Sequence, residues 1–152
     1  SFGGKLAIMA STTAVRVYGA IDDVDRSSFK PDFAVLLYPA LPSEAYLQNM
    51  RNAPPTLISV SRDDPCTRLE SVQSYVDGAA QAGLGDSFKL RVYPQGTHGY
   101  GTCEYYSFLA DQKECRWPGN AKRFIDEQTA GGRPAASYWG RPSASHRHPW
   151  AR

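Results

Sequence analysis

The sequence predicts an α/β fold in which parallel strands are joined by crossover helices. Three apolar runs, each ended by a proline or by an acidic turn, have the length and residue content of strands in a parallel sheet. Segments with the periodicity of amphipathic helices lie beside these runs. Because the strands are separated by connections long enough for crossovers, we expect them to run parallel with helices packed on the sheet.

The three predicted strands are short and apolar. The first covers residues 32–38, ends at Pro39, and is apolar enough to be buried on both faces. The second covers residues 56–60 and is followed by an acidic turn. The third, residues 88–93, alternates well enough for a strand and ends at Pro94.

Helices are predicted before, between and after these strands. A buried helix begins just after Ser1, a second begins at Thr67 and stops near Gly83, and a closing helix covers residues 120–129. A polar stretch at residues 43–52 suits one or two further helical turns. The apolar positions of the second and closing helices are Leu69, Val72, Val76, Ala79, Ala80, Ala121, Phe124 and Ile125.

We expect one domain, residues 1–129, followed by a disordered tail, residues 130–152. The tail is rich in glycine, proline and serine and has no apolar periodicity. The chain opens on Ser1 with no initiator methionine and no apolar leader, so we expect a partial sequence whose N-terminal strands are missing. Secretion and a cytoplasmic location both stay open.

Composition excludes several functional classes. With 41% hydrophobic and 21% charged residues, the chain has enough apolar material for a core. The net charge is +2 with both signs interspersed, and no apolar run approaches the ~20 residues of a membrane span, so we expect neither nucleic acid nor membrane as a partner. Cys103 and Cys115 either pair, which would imply an oxidising environment, or remain thiols like Cys66.

Three candidate catalytic groups each follow a predicted strand or the point where one should end. Ser1 opens Ser-Phe-Gly-Gly, the second half of a Gly-x-Ser-x-Gly turn, where Gly3 is expected to leave room for tight packing. Asp63 and Asp64 stand in the turn after the second strand, and His98 lies in a glycine-containing loop after the third. Because parallel strands end at one edge of the sheet, this order suits a Ser-Asp-His triad.

Several segments together resemble the acetylxylan-esterase-like and dienelactone-hydrolase-like group of α/β-hydrolases, which is related to prolyl-oligopeptidase-type catalytic domains. They are Ser1-Phe-Gly-Gly-Lys-Leu-Ala7, residues 31–39, residues 55–58, Asp63-Asp-Pro65, Ala82-Gly83, residues 92–101 and Trp117. The resemblance covers residues 1 to about 129. It implies the C-terminal half of an α/β-hydrolase fold.

The resemblance also implies roles for individual residues. Ser1 would be the nucleophile, the N–H of Phe2 an oxyanion donor, and His98 the general base. Asp64, directly before a proline, is the favoured acid, and Asp63 is the alternative. The aspartate that does not serve the histidine is expected to cap the following helix.

The implied function is a serine hydrolase of carboxylic esters, such as acetylated carbohydrates, that works through an acyl-enzyme intermediate. Such chemistry needs no cofactor and no metal. Two alternatives stay open: a prolyl-oligopeptidase-like serine peptidase, and a truncated, non-catalytic hydrolase relative. The last rests on the open edge and apolar face that three strands would leave.

Three other features have unreactive interpretations. Residues 21–25 carry three aspartates but lack the glycine and glutamate of a calcium loop, so we expect a solvated loop. His146 and His148 lie in the predicted tail, where metal binding would be adventitious. Four aromatic residues either wall a substrate pocket or, as we favour, pack beneath the catalytic loop. They are Tyr100, Tyr105, Tyr106 and Phe108.

Overall fold

The central feature of the protein is a parallel sheet, seen in a computed structural model that describes residues 1–43, 49–103 and 113–130. Strands β1 (Ala34–Leu37), β2 (Thr56–Ser61) and β3 (Phe88–Tyr93) pair in the order β1-β2-β3. Both pairs are parallel, with Leu37 opposite Ser59 and Ser61 opposite Tyr93. The predicted α/β class is confirmed, and all three strands end at one edge of the sheet.

Three helices accompany the sheet, close to where the sequence predicts them. They are α1 (Phe2–Thr12), α2 (Leu69–Gln81) and α3 (Trp117–Thr129). Helix α2 begins two residues after the predicted Thr67, because the intervening Arg68 has an extended backbone with ψ 128°. Helix α3 begins earlier than predicted, since Pro118 fits the first turn of a helix.

Short 3-10 turns complete the described secondary structure. They are Val24–Arg26, Met50–Asn52, Gly85–Ser87 and Lys113–Arg116. Part of the stretch predicted to be helical at residues 43–52, and nearly all of the predicted tail, lie outside the described residues.

The helices cover both faces of the sheet. On one face, α1 and α2 contribute Ile8, Val72 and Ala79 to a core that also contains Leu36, Ile58, Val60 and Phe88. On the other face, Ala121 and Phe124 of α3 pack on Leu57. The ring of Phe33 meets Phe124 edge-on at 6.4 Å between centroids. This three-layer arrangement leaves the strand ends as the place where loops converge.

Strands β1 and β2 differ in burial. All six residues of β2 are buried, whereas in β1 only Leu36 is, and its neighbours are half-buried. The prediction that the first strand is buried on both faces therefore holds only in part, because β1 is an edge strand among the described residues. Large exposed apolar side chains lie on α1 and the loop after it: Phe2, Leu6, Val15, Val17, Ile21 and Val24. No helix within the described ranges is long and apolar enough to cross a membrane.

Candidate active site

The turn after β2 buries a carboxylate at the sheet edge. The Asp64 N–H donates to the carbonyl of Ser61 at 3.3 Å, which reverses the chain directly after the strand. Oδ1 of Asp64 accepts the N–H groups of Cys66 at 2.8 Å and Thr67 at 2.7 Å. The Asp64 side chain is 0% exposed. A carboxylate can stay charged without water when several donors point at it, so this turn is suited to hold an ionised acid.

His98 meets this carboxylate. Its Nδ1 lies 2.8 Å from Oδ2 and 3.0 Å from Oδ1 of Asp64, although the two residues are 34 positions apart in sequence. A carboxylate accepts hydrogen bonds, so Nδ1 is the donor of this contact, and in the neutral imidazole Nε2 is then left as a proton acceptor. The imidazole is 22% exposed, which keeps it accessible from solvent. The residues predicted as acid and base are therefore in contact, and of the two neighbouring aspartates it is Asp64 that reaches the imidazole.

Asp63 does something else. Its Oδ1 accepts the N–H of Thr97 at 3.0 Å, immediately before the histidine. The expectation that the second aspartate caps the following helix is wrong, because the N–H groups ahead of α2 are taken by Asp64 itself. Asp63 therefore connects the turn after β2 to the loop that carries His98, and both aspartates make contacts with that loop.

The histidine loop has an unusual backbone. Thr97 has φ +54° and Gly96 has φ +143°, both in the region that side chains disfavour. A Cβ on Gly96 would meet Ser61 Oγ, and would stand 3.0 Å from the carboxyl carbon of Glu114. Only glycine fits there, so Gly96 lets the loop pass close over the end of β2.

Two bonds and a disulfide hold the loop after His98. The hydroxyl of Tyr38 accepts the Gly101 N–H at 3.3 Å, and Nε1 of Trp117 donates to the Gly101 carbonyl at 2.6 Å. Cys103 is bonded to Cys115, which precedes α3. Of the two states open for these cysteines, the structure shows the disulfide. The loop is therefore attached both to β1 and to the last helix.

Tyr38 is a residue that sequence reasoning missed. It follows β1 directly, with φ +35°, and its ring meets the rings of His98 at 4.9 Å and Tyr100 at 4.8 Å. Tyr100 is 2% exposed, so it packs beneath the loop and does not wall a pocket. The other three predicted aromatic residues lie outside the described residues. The sequence did contain a signal for Tyr38. It is an aromatic residue at the end of a predicted strand, and the ends of parallel strands converge at the site.

Beneath the loop that carries His98 lie several buried polar side chains, which were not predicted from the sequence. Four buried side-chain atoms have no hydrogen-bond partner within the described ranges: Ser59 Oγ, Ser61 Oγ, Tyr100 Oη and Glu114 Oε1. Burial raises the pKa of Tyr100 far above its usual value, and the negative charges of Asp64 and Glu114 add to the shift. Tyr100 therefore stays protonated.

Ser1 is held at the same edge by backbone contacts. Its carbonyl accepts the N–H of Ala40 at 3.0 Å, and its amino group donates to the carbonyl of Leu37 at 3.4 Å. Partial burial lowers the pKa of this amino group, and the charge of Asp64 opposes the shift. Within the described part of the chain the Ser1 hydroxyl makes no hydrogen bond to His98. The structure thus brings Ser1 to the strand ends without joining it to the imidazole.

The start of α1 fits part of the predicted turn. The Phe2 N–H lies in the first helical turn, where it has no intrahelical acceptor and points out of the positive end of the helix. The expected steric role of Gly3 is wrong for the described residues, because a Cβ there would meet nothing within 4 Å. The tight position is Gly4, where a Cβ would stand 2.7 Å from Cβ of Pro39.

One group of side chains at the site has metal-ligand chemistry. Ligand atoms of Asp64, Cys66 and His98 all lie within 4.8 Å of one another. By contrast, the aspartates of residues 21–25 serve the loop itself: Asp22 accepts the Val24 N–H at 2.9 Å, and Asp25 accepts the Ile21 N–H at 2.9 Å.

Comparisons with known proteins agree with this architecture. No protein-family model and no curated protein sequence matches the chain significantly. The solved structure of an acetyl ester-xyloside bifunctional hydrolase from Caldicellulosiruptor lactoaceticus is similar, with a TM-score of 0.62 and 20% identity. The match covers 84% of this chain and 54% of that one, so the chain spans about half the length of this neighbour. The protein is therefore a small α/β domain with the fold of part of a hydrolase.

Proposed function

We propose that this domain carries the acid, the base and the nucleophile of a serine hydrolase that cleaves carboxylic esters. Asp64 is the acid, His98 the general base and Ser1 the nucleophile. The observation that carries the proposal is the contact of the fully buried Asp64 carboxylate with Nδ1 of His98 at 2.8 Å. Such a contact at the ends of adjacent parallel strands is how hydrolases orient a basic imidazole.

The geometry around His98 supports a base and not merely a surface histidine. Because Asp64 accepts a hydrogen bond from Nδ1–H, the free lone pair of the neutral imidazole is on Nε2, and the ring is partly exposed. The loop is anchored by Asp63 on one side of His98 and by Tyr38 and Trp117 on the other. A base held in this way loses little freedom when substrate binds.

In the proposed reaction Nε2 of His98 takes the proton of the Ser1 hydroxyl as its oxygen attacks the ester carbonyl. The tetrahedral oxyanion then faces the start of α1, where the Phe2 N–H and the helix dipole stabilise negative charge. The imidazolium returns its proton to the leaving alcohol. Water, activated by the same imidazole, releases the acid and regenerates Ser1.

Esters are favoured over peptides as substrates. The similarity to prolyl-oligopeptidase-type domains would give the acid role to Asp63, the first of the two aspartates, but the carboxylate that reaches His98 belongs to Asp64. The structural neighbour is named an acetyl ester-xyloside bifunctional hydrolase. Acetyl esters of carbohydrates are therefore the substrate class that we propose.

The test is covalent labelling combined with turnover. The 152-residue chain, released from a cleavable leader so that it begins at Ser1, is treated with a fluorophosphonate probe and assayed with p-nitrophenyl acetate. We expect labelling at Ser1, found by peptide mapping. We expect Ser1→Ala and His98→Ala each to lower kcat by at least about 10⁴-fold.

Matched controls separate this chemistry from background reactivity. Ser43→Ala removes an exposed hydroxyl, and His146→Ala removes an imidazole that the proposal does not use. Both should keep the parent's labelling and turnover. Equal turnover by the parent, Ser1→Ala and His98→Ala, with no probe on Ser1, would overturn the proposal and favour a non-catalytic relative of hydrolases.

A further inference from the structure

We propose that Asp64, Cys66 and His98 form a binding site for a soft divalent metal ion of the Zn²⁺ class, and that a bound ion disables the base. The second half of this inference rests on the proposed function, whereas metal binding itself does not. Cys66 has no part in the proposed ester chemistry. It therefore offers a way to probe the site without touching the triad.

The three side chains are already gathered. Their ligand atoms lie within 4.8 Å of one another. Two contacts set this spacing: Oδ1 of Asp64 accepts the Cys66 N–H at 2.8 Å, and Oδ2 lies 2.8 Å from Nδ1 of His98. Zinc at about 2.0–2.3 Å from each ligand would need donor atoms roughly 3.3–3.7 Å apart. If Nδ1 is the ligand, its 2.8 Å contact with Oδ2 would have to lengthen by about 0.5–1 Å, and the separations near 4.8 Å would have to shorten by about 1 Å.

The site is open to an ion from solvent. Cys66 is exposed and carries a free thiol, unlike the disulfide-bonded pair. It also lines a groove of about 250 Å³ between the loop after β1 and the start of α2. Pro39, Thr67 and Ser71 are among the other lining residues. An ion can thus reach the Cys66 thiol from solvent, and the imidazole of His98 is partly exposed as well.

The ligand set selects a class of metal. One thiolate, one imidazole and one carboxylate suit Zn²⁺, Co²⁺ and related ions, while Mg²⁺ and Ca²⁺ prefer oxygen ligands alone. Three protein ligands leave a fourth position for water. Binding displaces the Cys66 thiol proton to solvent, because the thiolate is the form that coordinates the ion.

A bound ion would remove the base in either of two ways. If Nε2 of His98 coordinates it, the lone pair that accepts the Ser1 proton is occupied. If Nδ1 coordinates it, Nε2 must carry the remaining ring proton and can no longer accept one. Coordination also draws the Asp64 carboxylate away from its role of orienting the ring.

The experiment uses Co²⁺ as a spectroscopic probe and Zn²⁺ as a competitor. The parent chain should show a thiolate-to-cobalt absorption band at one equivalent of Co²⁺, and Zn²⁺ should displace it. Cys66→Ser keeps the size of the side chain but removes the thiolate. It should abolish the band and weaken Zn²⁺ binding at least about tenfold. The double variant His146→Ala and His148→Ala controls for adventitious binding and should behave as the parent.

Activity supplies the second readout. Zn²⁺ should reversibly inhibit p-nitrophenyl acetate turnover by the parent, and a chelator should restore the turnover. Cys66→Ser should keep the parent's turnover without metal, and half-inhibition of this variant should need at least about tenfold more Zn²⁺. A Co²⁺ band without turnover would support the metal site and count against the proposed function. No thiolate band in the parent, or equal Zn²⁺ affinity in the parent and Cys66→Ser, would overturn the metal site whatever the activity.

Discussion

Asp25 and Asp64 are both carboxylates that accept several hydrogen bonds and face a basic side chain, yet they belong to very different regions. Asp25 lies in the loop between α1 and β1 and pairs with Arg16 at 3.1 Å, nine positions away. Asp64 lies at the end of β2 and pairs with His98, 34 positions away, with its side chain fully buried.

The difference shows what each pair depends on. The Asp25 pair is closed by its own stretch of chain, which also supplies the Ile21 N–H and the Tyr18 hydroxyl at 2.9 Å. The Asp64 pair exists only because β2 and β3 lie side by side and end together. A pair formed within one loop stabilises that loop. A pair assembled by the sheet can instead bring together two groups from distant parts of the chain, so that one orients the other for a reaction.

Between the two carboxylates, the larger effect should come from replacing Asp64 of the buried pair. We predict that Asp64→Asn lowers kcat for p-nitrophenyl acetate by about 10³–10⁴-fold, because an amide favours the wrong imidazole tautomer. Asp63→Asn keeps a hydrogen-bonding oxygen for Thr97 and should cost less than about tenfold. The kcat values of the two variants and the parent are compared after correction for the folded fraction of each protein, which circular dichroism measures. A larger loss in Asp63→Asn would reverse the assignment of the acid.

The next effect should come from moving the loop that brings His98 to the pair. We predict that Gly96→Ala destabilises the fold by about 2–4 kcal/mol, because its φ is +143° and the new Cβ would meet Ser61 and Glu114. Urea unfolding measures this.

Gly119 is the matched control for Gly96. It lies in α3, where a Cβ would meet nothing within 4 Å, so Gly119→Ala should leave stability unchanged or raise it by up to about 1 kcal/mol. Equal stability of the two variants would show that the loop adapts, and that its path over β2 is not imposed by the glycine.

The smallest effect belongs to the local pair. Hydrogen bonds from the Ile21 N–H and the Tyr18 hydroxyl hold the pKa of Asp25 below its usual value. A lowered folded pKa contributes stability above the unfolded pKa of about 3.9, and this contribution is lost as the pH falls through the folded pKa. Asp25→Asn should therefore melt below the parent at pH 7, and the difference should vanish in acid.

Asp23 provides the comparison within the same loop. It pairs with Arg26 at 3.3 Å, but both side chains are almost fully exposed, so Asp23→Asn should not change the melting temperature measurably. Thermal melts of both variants between neutral and acid pH make the check. A pH-independent deficit in Asp25→Asn would mean that the carboxylate stabilises the loop by its shape and not by its charge.

Much of the architecture was predictable because its signals are local. Apolar runs and helical patterns mark all three strands and helices, and β3 has the same bounds as its prediction, residues 88–93. The meeting of Asp64 and His98 followed from one rule, that parallel strands end at a common edge. The burial of β1 was overestimated, since apolar content does not tell an edge strand from a central one.

Other features of the site depend on contacts between distant residues. The bond from Thr97 to Asp63, the contact of Tyr38 with His98 and the burial of Glu114 beneath the loop have no local pattern. The close packing fell on Gly4 and not on Gly3, because only the packed positions of α1 and Pro39 decide which glycine is crowded.

By itself, the sequence determined the order of strands and helices and the residues that end them, since hydrophobic periodicity and turn chemistry act over a few neighbouring residues. Tertiary structure alone decided which aspartate reaches the imidazole and that Cys103 pairs with Cys115. It also decided that Cys66 lies close to Asp64 and His98. These are distances between groups far apart in the chain, and only the packing of the sheet and its loops sets them.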